Sequence, residues 1–570
     1  MTAKVEVVDG MSVVRGIPLT EEPGIGALTL AGLIREVCEA HGPREALVLH
    51  LDGEVIRWTY AELWDKCMAV ARSLVACGAG KGTRVGVIAT NRPEFLSNVF
   101  GAALAGCVPT PISTFFTPAE LDEVLTLSGV SILLLERKVL KKDYGEMLIG
   151  LEPAFAGGSP GTVRSTRYPF LTHVAFIDSD ETQGGIEGTA AFLARGEQVD
   201  PALVAARAEQ VSPADPGILL FSSGSTGKVK GVLSANRSAC LQAWRWAQWY
   251  DLDEAPRTWA ANGFFWSGNF CQGMGATLAA GGVLVLQRWF DAEEALSLME
   301  LEKVTMPVAW PHQWAQLEAA PNYASVDLSS FKYVDKRTTL ARHPTVHSTW
   351  CQPESAYGNT ETFTLITVYP ANTPEEETRG SHGLPTAGSI IKIVEPLTGA
   401  TVPVGERGEI AVKGPTLMLG YLGKPLSESV DDEGFLRTSD GGYVDAEGRL
   451  YWEGRLNDII KTGGANVSPL EIDAVIRECP GVKISQTVGV PDDLLGELVV
   501  SCIVPHEGAS LDDAAIRNFA KEKLASYKLP RRVLFVEESD LKTTGSAKIK
   551  TADLRKLAAE RLEAMDAAAG

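Results

Sequence analysis

No stretch of the 570 residues reaches the roughly 18 consecutive apolar residues of a membrane span. The opening residues, MTAKVEVVDG, also lack the apolar core of a secretory signal. Cysteine is scarce: nine residues, an odd number, with no C-x-x-C pair. That excludes a disulfide scaffold or a zinc ribbon and predicts reduced, mostly buried thiols. None of the eight histidines stands in an H-E-x-x-H or similar pattern, so structural zinc is not expected. Positive charge is short as well, with 52 Lys and Arg against 72 Asp and Glu for a net charge of -20. Nucleic acid draws most of its affinity from phosphate neutralisation, so it is not an expected partner. A phosphate ligand must instead be met locally, by loop amides and a few placed cations. There is no internal repeat and no proline- or glutamine-rich tract. The expectation is a soluble, cytoplasmic protein without a membrane span, for which a homo-oligomer is allowed.

What is present is an ordinary globular composition, 45% hydrophobic and 22% charged, in a chain long enough for several folding units. From Leu28 to Cys107 helical patterns (LTLAGLIREVCEAHG, YAELWDKCMAVARSLVACG, PEFLSNVFGAALAGC) alternate with the apolar strand RVGVIAT. This alternation predicts βαβ units around a largely parallel sheet. The runs ILLLE, HVAFID and GGVLVLQ extend it. The Gly- and Ser-rich segments GGSPGTVRSTRYP and DSDETQGGIEG read as surface connections. From GSIIKIVEPLTGATVPVGERGEIAVKG onward, short strands and turns predict a β-rich subdomain. After GRLNDIIKTGG comes a mixed helix and strand stretch of about 110 residues, enough for a separate domain. The expected class is α/β: a large N-terminal domain of mixed sheets layered with helices plus a β-rich subdomain, and a small mobile α+β C-terminal domain.

The most chemically suggestive stretch is LLFSSGSTGKVKGVL, Leu219 to Leu233. It is not a Walker loop, because Gly224 and Gly227 are only three apart and Lys228 is followed by Val229 rather than Ser or Thr. Yet four hydroxyls and two glycines follow an apolar strand, making a donor-rich concavity suited to an anion, with Lys228 and Lys230 adding charge. The plain alternative is a solvated Ser/Gly turn. Two rivals are weaker. GGSPG at Gly157 to Gly161 has the spacing of a serine hydrolase, but Pro160 has no N–H to offer an oxyanion hole. GAGKGT at Gly78 lacks the third glycine of a dinucleotide fingerprint.

The loop gains meaning from four later segments in fixed order: YGNTE (Tyr357 to Glu361), TSDGGYVDAEGRLYWEGRLNDIIKTGG (Thr438 to Gly464), NVSPLEID (Asn466 to Asp473) and TTGSAKIK (Thr543 to Lys550). Together, and with GEIAVKGPTLMLGYLGKP, they resemble the adenylate-forming superfamily of acyl-CoA synthetases, peptide-synthetase adenylation domains and luciferases, over nearly the whole chain. The resemblance implies a two-step ligase. A carboxylate attacks the α-phosphorus of ATP to give an acyl-adenylate and pyrophosphate, and the thiol of coenzyme A then displaces AMP. The cofactors implied are ATP or the acyl-AMP, Mg²⁺ and coenzyme A, and the partner is a small carboxylic acid.

By the same resemblance, Ser222, Ser223, Gly224, Ser225, Thr226, Gly227 and Lys230 would enclose the β- and γ-phosphates. Tyr357, with Gly358 and Asn359, would lie at the adenine, Thr360 would bond the α-phosphate, and Glu361 would ligate Mg²⁺. Asp440 would hold the ribose hydroxyls with Arg455 in support. Lys548 would bridge the acyl carboxylate and α-phosphate during adenylation. Asn457, where relatives more often carry Asp or Lys, would be the hinge between domains 1–456 and 458–570. Gly463 and Gly464 would line the pantetheine channel, and Phe265, Trp266 and Gly268 the acyl pocket.

Four positions depart from the pattern. Val229 replaces a common proline, and Ala547 the glycine before the catalytic lysine. Trp266 stands where many relatives have histidine, and can be read as a gate for a bulky apolar acid or as a core aromatic. Lys336, Arg337 and Thr338, in YVDKRTTLARHP, replace a Gly-Gly-Ala turn beside the nucleotide. The reading is an acyl-CoA ligase for a bulky apolar acid. Its alternatives are a ligase that keeps only thioester formation from a preformed adenylate, and a non-catalytic adenylate-binding protein. Phe264, Phe265, Trp266 and the Trp-rich helix CLQAWRWAQWY hint at a polycyclic acid, although such helices more often serve the core.

Overall fold

The computed structural model describes residues 5–8, 10–223, 229–252, 255–352, 355–456, 458, 460–462, 465–492, 495–524, 528–542 and 549–569. The chain forms two compact units. One comprises Met1–Val5, Arg15–Ile390 and Lys413–Phe435; the other comprises Glu6–Val14, Ile391–Val412 and Leu436–Gly570.

The first unit has the expected βαβ base. Strands Arg84–Ile88, Val108–Ile112, Ile132–Leu135 and His173–Phe176 make a four-stranded, wholly parallel sheet. A second sheet sets Met306–Val308, Arg257–Ala260, Val283–Leu286 and Glu45–Leu51 parallel, then turns back through Glu54–Thr59. Helix boundaries follow local chemistry. Thr59 accepts from the Glu62 amide while the Glu62 carboxylate accepts from the Thr59 amide, which starts Tyr60–Ala76 with two otherwise unpaired donors satisfied. Thr117 and Glu120 repeat the device before Pro118–Ser128, which ends at Gly129 in the left-handed conformation (φ 58°). GGSPGTVRSTRYP and DSDETQGGIEG are irregular connections, as expected.

The ends of the two parallel sheets are tied by one buried acid. Glu136, fully buried just past Ile132–Leu135, accepts from the Thr90 amide (2.9 Å) and hydroxyl (2.8 Å), beyond the neighbouring strand. It also pairs with Arg92 at 3.2 Å and with Arg288, which follows Val283–Leu286 in the other sheet. A buried carboxylate is tolerable only with such partners, because desolvation alone would neutralise it.

In the second unit a six-stranded sheet runs Glu6–Val7, Val13–Arg15, Ile390–Val394, Gly408–Lys413, Leu436–Val444, Leu450–Arg455. This is the β-rich element read from the sequence. A five-stranded sheet of Ala465–Val467, Ile460–Thr462, Gly496–Pro505, Val482–Asp492 and Arg532–Phe535 carries helices Pro469–Arg477 and Asp513–Lys521. Within it Asp473 is buried and accepts from Ser485 (2.7 Å) and from the hydroxyl (2.7 Å) and amide (3.0 Å) of Thr487. Burial still leaves its carboxyl above the usual range. All nine cysteines are free and seven are buried. Among the described residues no helix is long and apolar enough to cross a membrane.

Replacing Glu136→Gln leaves the buried Arg92 and the half-buried Arg288 guanidinium groups facing a neutral amide. The expected cost is about 3 kcal/mol, read by calorimetry as a fall of the thermal midpoint by several degrees. An unchanged midpoint would show that Arg92 and Arg288 are stabilised by other means.

Candidate functional site

The serine- and glycine-rich stretch is the tip of an antiparallel hairpin. Pro216–Ser223 pairs with Val229–Ala235, Ser222 opposite Lys230 and Ser223 opposite Val229. Val229 is half-buried and packs with Leu219 and Phe221. A β-branched residue suits a ladder position, where proline would remove a donor. Gly224, Ser225, Thr226, Gly227 and Lys228 lie outside the described residues, as do Asn457, Gly463, Gly464, Ala547 and Lys548.

A third strand, Gly420–Tyr421, completes the hairpin sheet, with Tyr421 opposite Val232. It brings in the YGNTE segment. The Met418 amide donates to the Glu361 carbonyl (2.7 Å), and the Tyr421 hydroxyl donates to Glu361 Oε1 (2.6 Å). Lys230 Nζ sits 5.5 Å from the centroid of the Tyr421 ring, a cation–π distance. Lys230, Glu361 and Tyr421 therefore form one cluster. The sequence gives Tyr421 no role of its own; its only signal is the Gly–Tyr pair closing GPTLMLGY.

Tyr357–Asn359 is itself a strand, paired with Thr364–Val368, and Thr360–Thr362 is a single tight turn. Asn359 caps that turn by accepting from the Thr362 amide (2.9 Å). A Cβ on Gly358 would run into the Thr364 carbonyl oxygen, so only glycine fits there. The chain leaves the turn through Phe363 (φ 51°) and Thr364 (φ 92°), conformations that side-chain-bearing residues rarely adopt. Strain of this kind costs of order 1–3 kcal/mol and gathers where function fixes the backbone. Tyr357 is buried, and Thr360 and Glu361 are half-buried.

Just before Leu384–Pro385, the third strand of this small sheet, His382 is half-buried. Burial pulls its imidazole down to about 4.

In the other unit Asp440 and Arg455 are cross-strand partners, with Nε to Oδ1 at 3.0 Å. Asp440 is buried, while Arg455 is about half exposed and also donates to the Thr438 carbonyl (3.2 Å). Ser439, immediately before, has φ 60°, its amide donating to Glu409 Oε1 (2.9 Å). The structure thus brings together the two residues assigned to the sugar.

The aromatic positions divide. Phe264 is core: its amide donates to the buried Asn91 (3.0 Å) and its ring lies 5.8 Å from Phe95. The Trp-rich helix, Asn236–Trp249, is core too. Trp246 and Tyr250 are buried and stack edge-on, and the Trp244 indole N–H donates to the Ala27 carbonyl (3.1 Å). Of the two readings of that helix, packing accounts for the contacts of Trp244, Trp246 and Tyr250. Phe265 is buried, but Trp266 is half-buried, 5.5 Å from it, and space is open where a Cβ on Gly268 would project. Phe115, 59% exposed, meets Phe265 edge-on at 5.8 Å and was not singled out by sequence. Just beyond Gly268 the helix loosens to a π turn over Phe270–Gly275, a geometry frequent at functional sites.

The basic segment at Lys336, Arg337 and Thr338 is tied down. Asp335 accepts from the Arg337 amide (2.8 Å) and guanidinium (2.6 Å) and from the Gln352 amide (3.1 Å). Burial raises the Asp335 carboxyl, but the Arg337 bonds outweigh it and hold it below its ordinary value. The segment lines a groove of about 920 Å³ with His347, Trp350 and Glu375, a wall of mixed charge unsuited to an apolar acid.

Residues 34–422 match the AMP-binding enzyme family and 471–548 its C-terminal domain, so the chain belongs to that family, in its acyl-CoA synthetase branch, as an AMP-forming acid–thiol ligase. It is 29% identical over 507 residues to the indoleacetate–CoA ligase of Aromatoleum aromaticum, covering 88% of this chain and 94% of that one. It is 30% identical over 510 residues to the 3-[(3aS,4S,7aS)-7a-methyl-1,5-dioxo-octahydro-1H-inden-4-yl]propanoyl:CoA ligase of Mycobacterium tuberculosis, covering 88% and 94%. Its fold is that of the anthranilate CoA ligase AuaEII in complex with anthranoyl-AMP (TM-score 0.75, 24% identity, 95% of this chain and 99% of that one).

A pH dependence follows from His382. Its folded value, about 4, lies below the ordinary 6.5, so the stability that comes from keeping it neutral is full above pH 6.5 and is lost as pH falls toward 4. His382→Gln, which does not protonate, should flatten that part of a melting-temperature profile. An unaltered profile would assign the acid limb to other groups.

Proposed function

We propose that this ligase activates a bulky, largely apolar carboxylic acid through its adenylate and transfers the acyl group to coenzyme A. The observation that carries the acid class is the open space at Gly268, two residues past the half-buried Trp266 and three past Phe265, on which the exposed Phe115 packs edge-on. Relatives named for indoleacetate and for a bicyclic propanoate support it.

The chemistry asks a carboxylate to approach a polyanion, so the protein must supply positioning and positive field. In this reading the hairpin from Ser222 to Lys230 surrounds the departing pyrophosphate, and Thr360 donates to the α-phosphate. Tyr357 backs the adenine with Gly358 and Asn359 beside it. Asp440, oriented by Arg455, accepts from both ribose hydroxyls. Lys548 bridges the attacking carboxylate and the α-phosphate, then departs as 458–570 turns about Asn457. Gly463 and Gly464 leave room for pantetheine.

Glu361 fits a magnesium ligand: a hard carboxylate whose Oε2 has no hydrogen bond among the described residues, in a family of site where one carboxylate and the phosphates share the ion. Bound there, the ion would neutralise phosphate charge as the α-phosphorus is attacked.

The test is turnover of an acid panel with ATP, Mg²⁺ and coenzyme A, with acyl-CoA and AMP read by mass spectrometry. Aryl and bicyclic acids should react and acetate or malonate should not; the reverse preference overturns the acid class. Gly268→Trp should lower kcat/KM for the bulky acids by ten-fold or more, the scale of a filled pocket, and spare a smaller one. Lys548→Ala should remove about 100-fold or more of pyrophosphate exchange and leave thioester formation from supplied acyl-AMP. Thioester formation without exchange in the unaltered protein, whatever the acid, would mean that only the second half-reaction is retained.

A further inference from the structure

We infer that Tyr421 is a positioning residue for the magnesium carboxylate and couples it to the phosphate hairpin. The inference rests on the reading of Glu361 as the metal ligand. Two contacts converge on one side chain, and the strand that carries it is fixed. The Tyr421 hydroxyl donates to Glu361 Oε1 at 2.6 Å, which leaves Oε2 as the oxygen offered to an ion. The Tyr421 ring carries Lys230 at 5.5 Å, and Lys230 lies opposite Ser222 at the neck of the hairpin. Its backbone is fixed in turn, because Tyr421 pairs with Val232, the Leu422 amide donates to the Gly231 carbonyl (2.9 Å) and the Leu419 amide to the Leu233 carbonyl (2.7 Å).

A glutamate carboxylate on a short turn has three rotatable bonds and two equivalent oxygens. A single donor on one oxygen removes that freedom, and outer partners of this kind typically change metal affinity 10- to 100-fold when lost. Tyrosine suits the task better than a charged donor. Its neutral hydroxyl orients Glu361 without competing with the ion as a lysine would, and its ring gives Lys230 a resting place that is released without breaking an ion pair. Lys230 and Glu361, of opposite sign, are thereby kept on separate parts of one ring rather than paired with each other, and each is left for ligand.

The experiment uses the full chain with ATP and Mn²⁺, without acid, so that no turnover occurs. Mn²⁺ affinity in the ternary complex is read by electron paramagnetic resonance, and metal-free ATP affinity by a fluorescent analogue. Tyr421→Phe, which keeps the ring, should weaken Mn²⁺ about 10-fold with metal-free ATP affinity and thermal midpoint unchanged. Tyr421→Leu should weaken metal-free ATP binding as well, because Lys230 loses its platform. Glu361→Gln separates the two claims. If it leaves Mn²⁺ affinity unchanged, the metal-ligand reading fails and the inference with it. If it weakens Mn²⁺ while Tyr421→Phe does not, the inference alone is overturned. The double variant should bind Mn²⁺ no worse than Glu361→Gln; additive losses would reduce Tyr421 to a packing residue, whatever Tyr421→Phe does to the thermal midpoint.

Discussion

The backbone ladder between Pro216–Ser223, Val229–Ala235 and Gly420–Tyr421 is the constraint on which the cluster of Lys230, Glu361 and Tyr421 depends. Side chains alternate strictly along such strands, so one register decides which residues face one another. With Ser222 opposite Lys230 and Tyr421 opposite Val232, that register sets a hydroxyl and a cation at the hairpin neck and brings a phenol within reach of Glu361. A slip by one residue would send Lys230 to the other face and dissolve the cluster. The cluster is thus held first by backbone hydrogen bonds, to which the Tyr421–Glu361 bond is added.

Electrostatics completes the picture. A chain of net charge -20 repels polyphosphate at long range, so affinity must be generated within a few ångströms. Lys230 rests on an aromatic face, and Arg455 is half exposed while it braces Asp440. The basic groups of Tyr333–Pro344 behave differently. Arg337 is committed to Asp335 and to the Gln352 carbonyl, which makes that segment a rigid wall more than a source of field.

Much of this was legible in the sequence, for local reasons. The helix Tyr60–Ala76 shows as a local apolar pattern, and the strands Arg84–Ile88, Ile132–Leu135 and Val283–Leu286 are apolar runs. Ordered motifs placed Asp440 with Arg455, and Glu361 near the hairpin. What escaped was non-local. Glu361 and Tyr421 meet across a separation of 60 residues, and no periodicity encodes that. Nor can composition tell a pocket from a core: Trp244, Trp246 and Phe264 are buried by packing, whereas Phe115 lies exposed against Phe265. The segments Gly224 to Lys228 and Thr543 to Lys548 were legible by motif alone.

The strained pair Phe363 and Thr364 reaches further than its own turn. Thr364 Oγ1 accepts from the Trp246 indole at 3.4 Å, so the residue bearing the least comfortable backbone angle also bonds the aromatic helix. Glycine at 364 would relax the angle and forfeit that bond in the same step. The position therefore resists the usual route by which a chain drifts toward comfort, one substitution at a time. Escape requires two coordinated changes, on the turn and on the helix, and the geometry that presents Glu361 is to that extent protected from gradual loss.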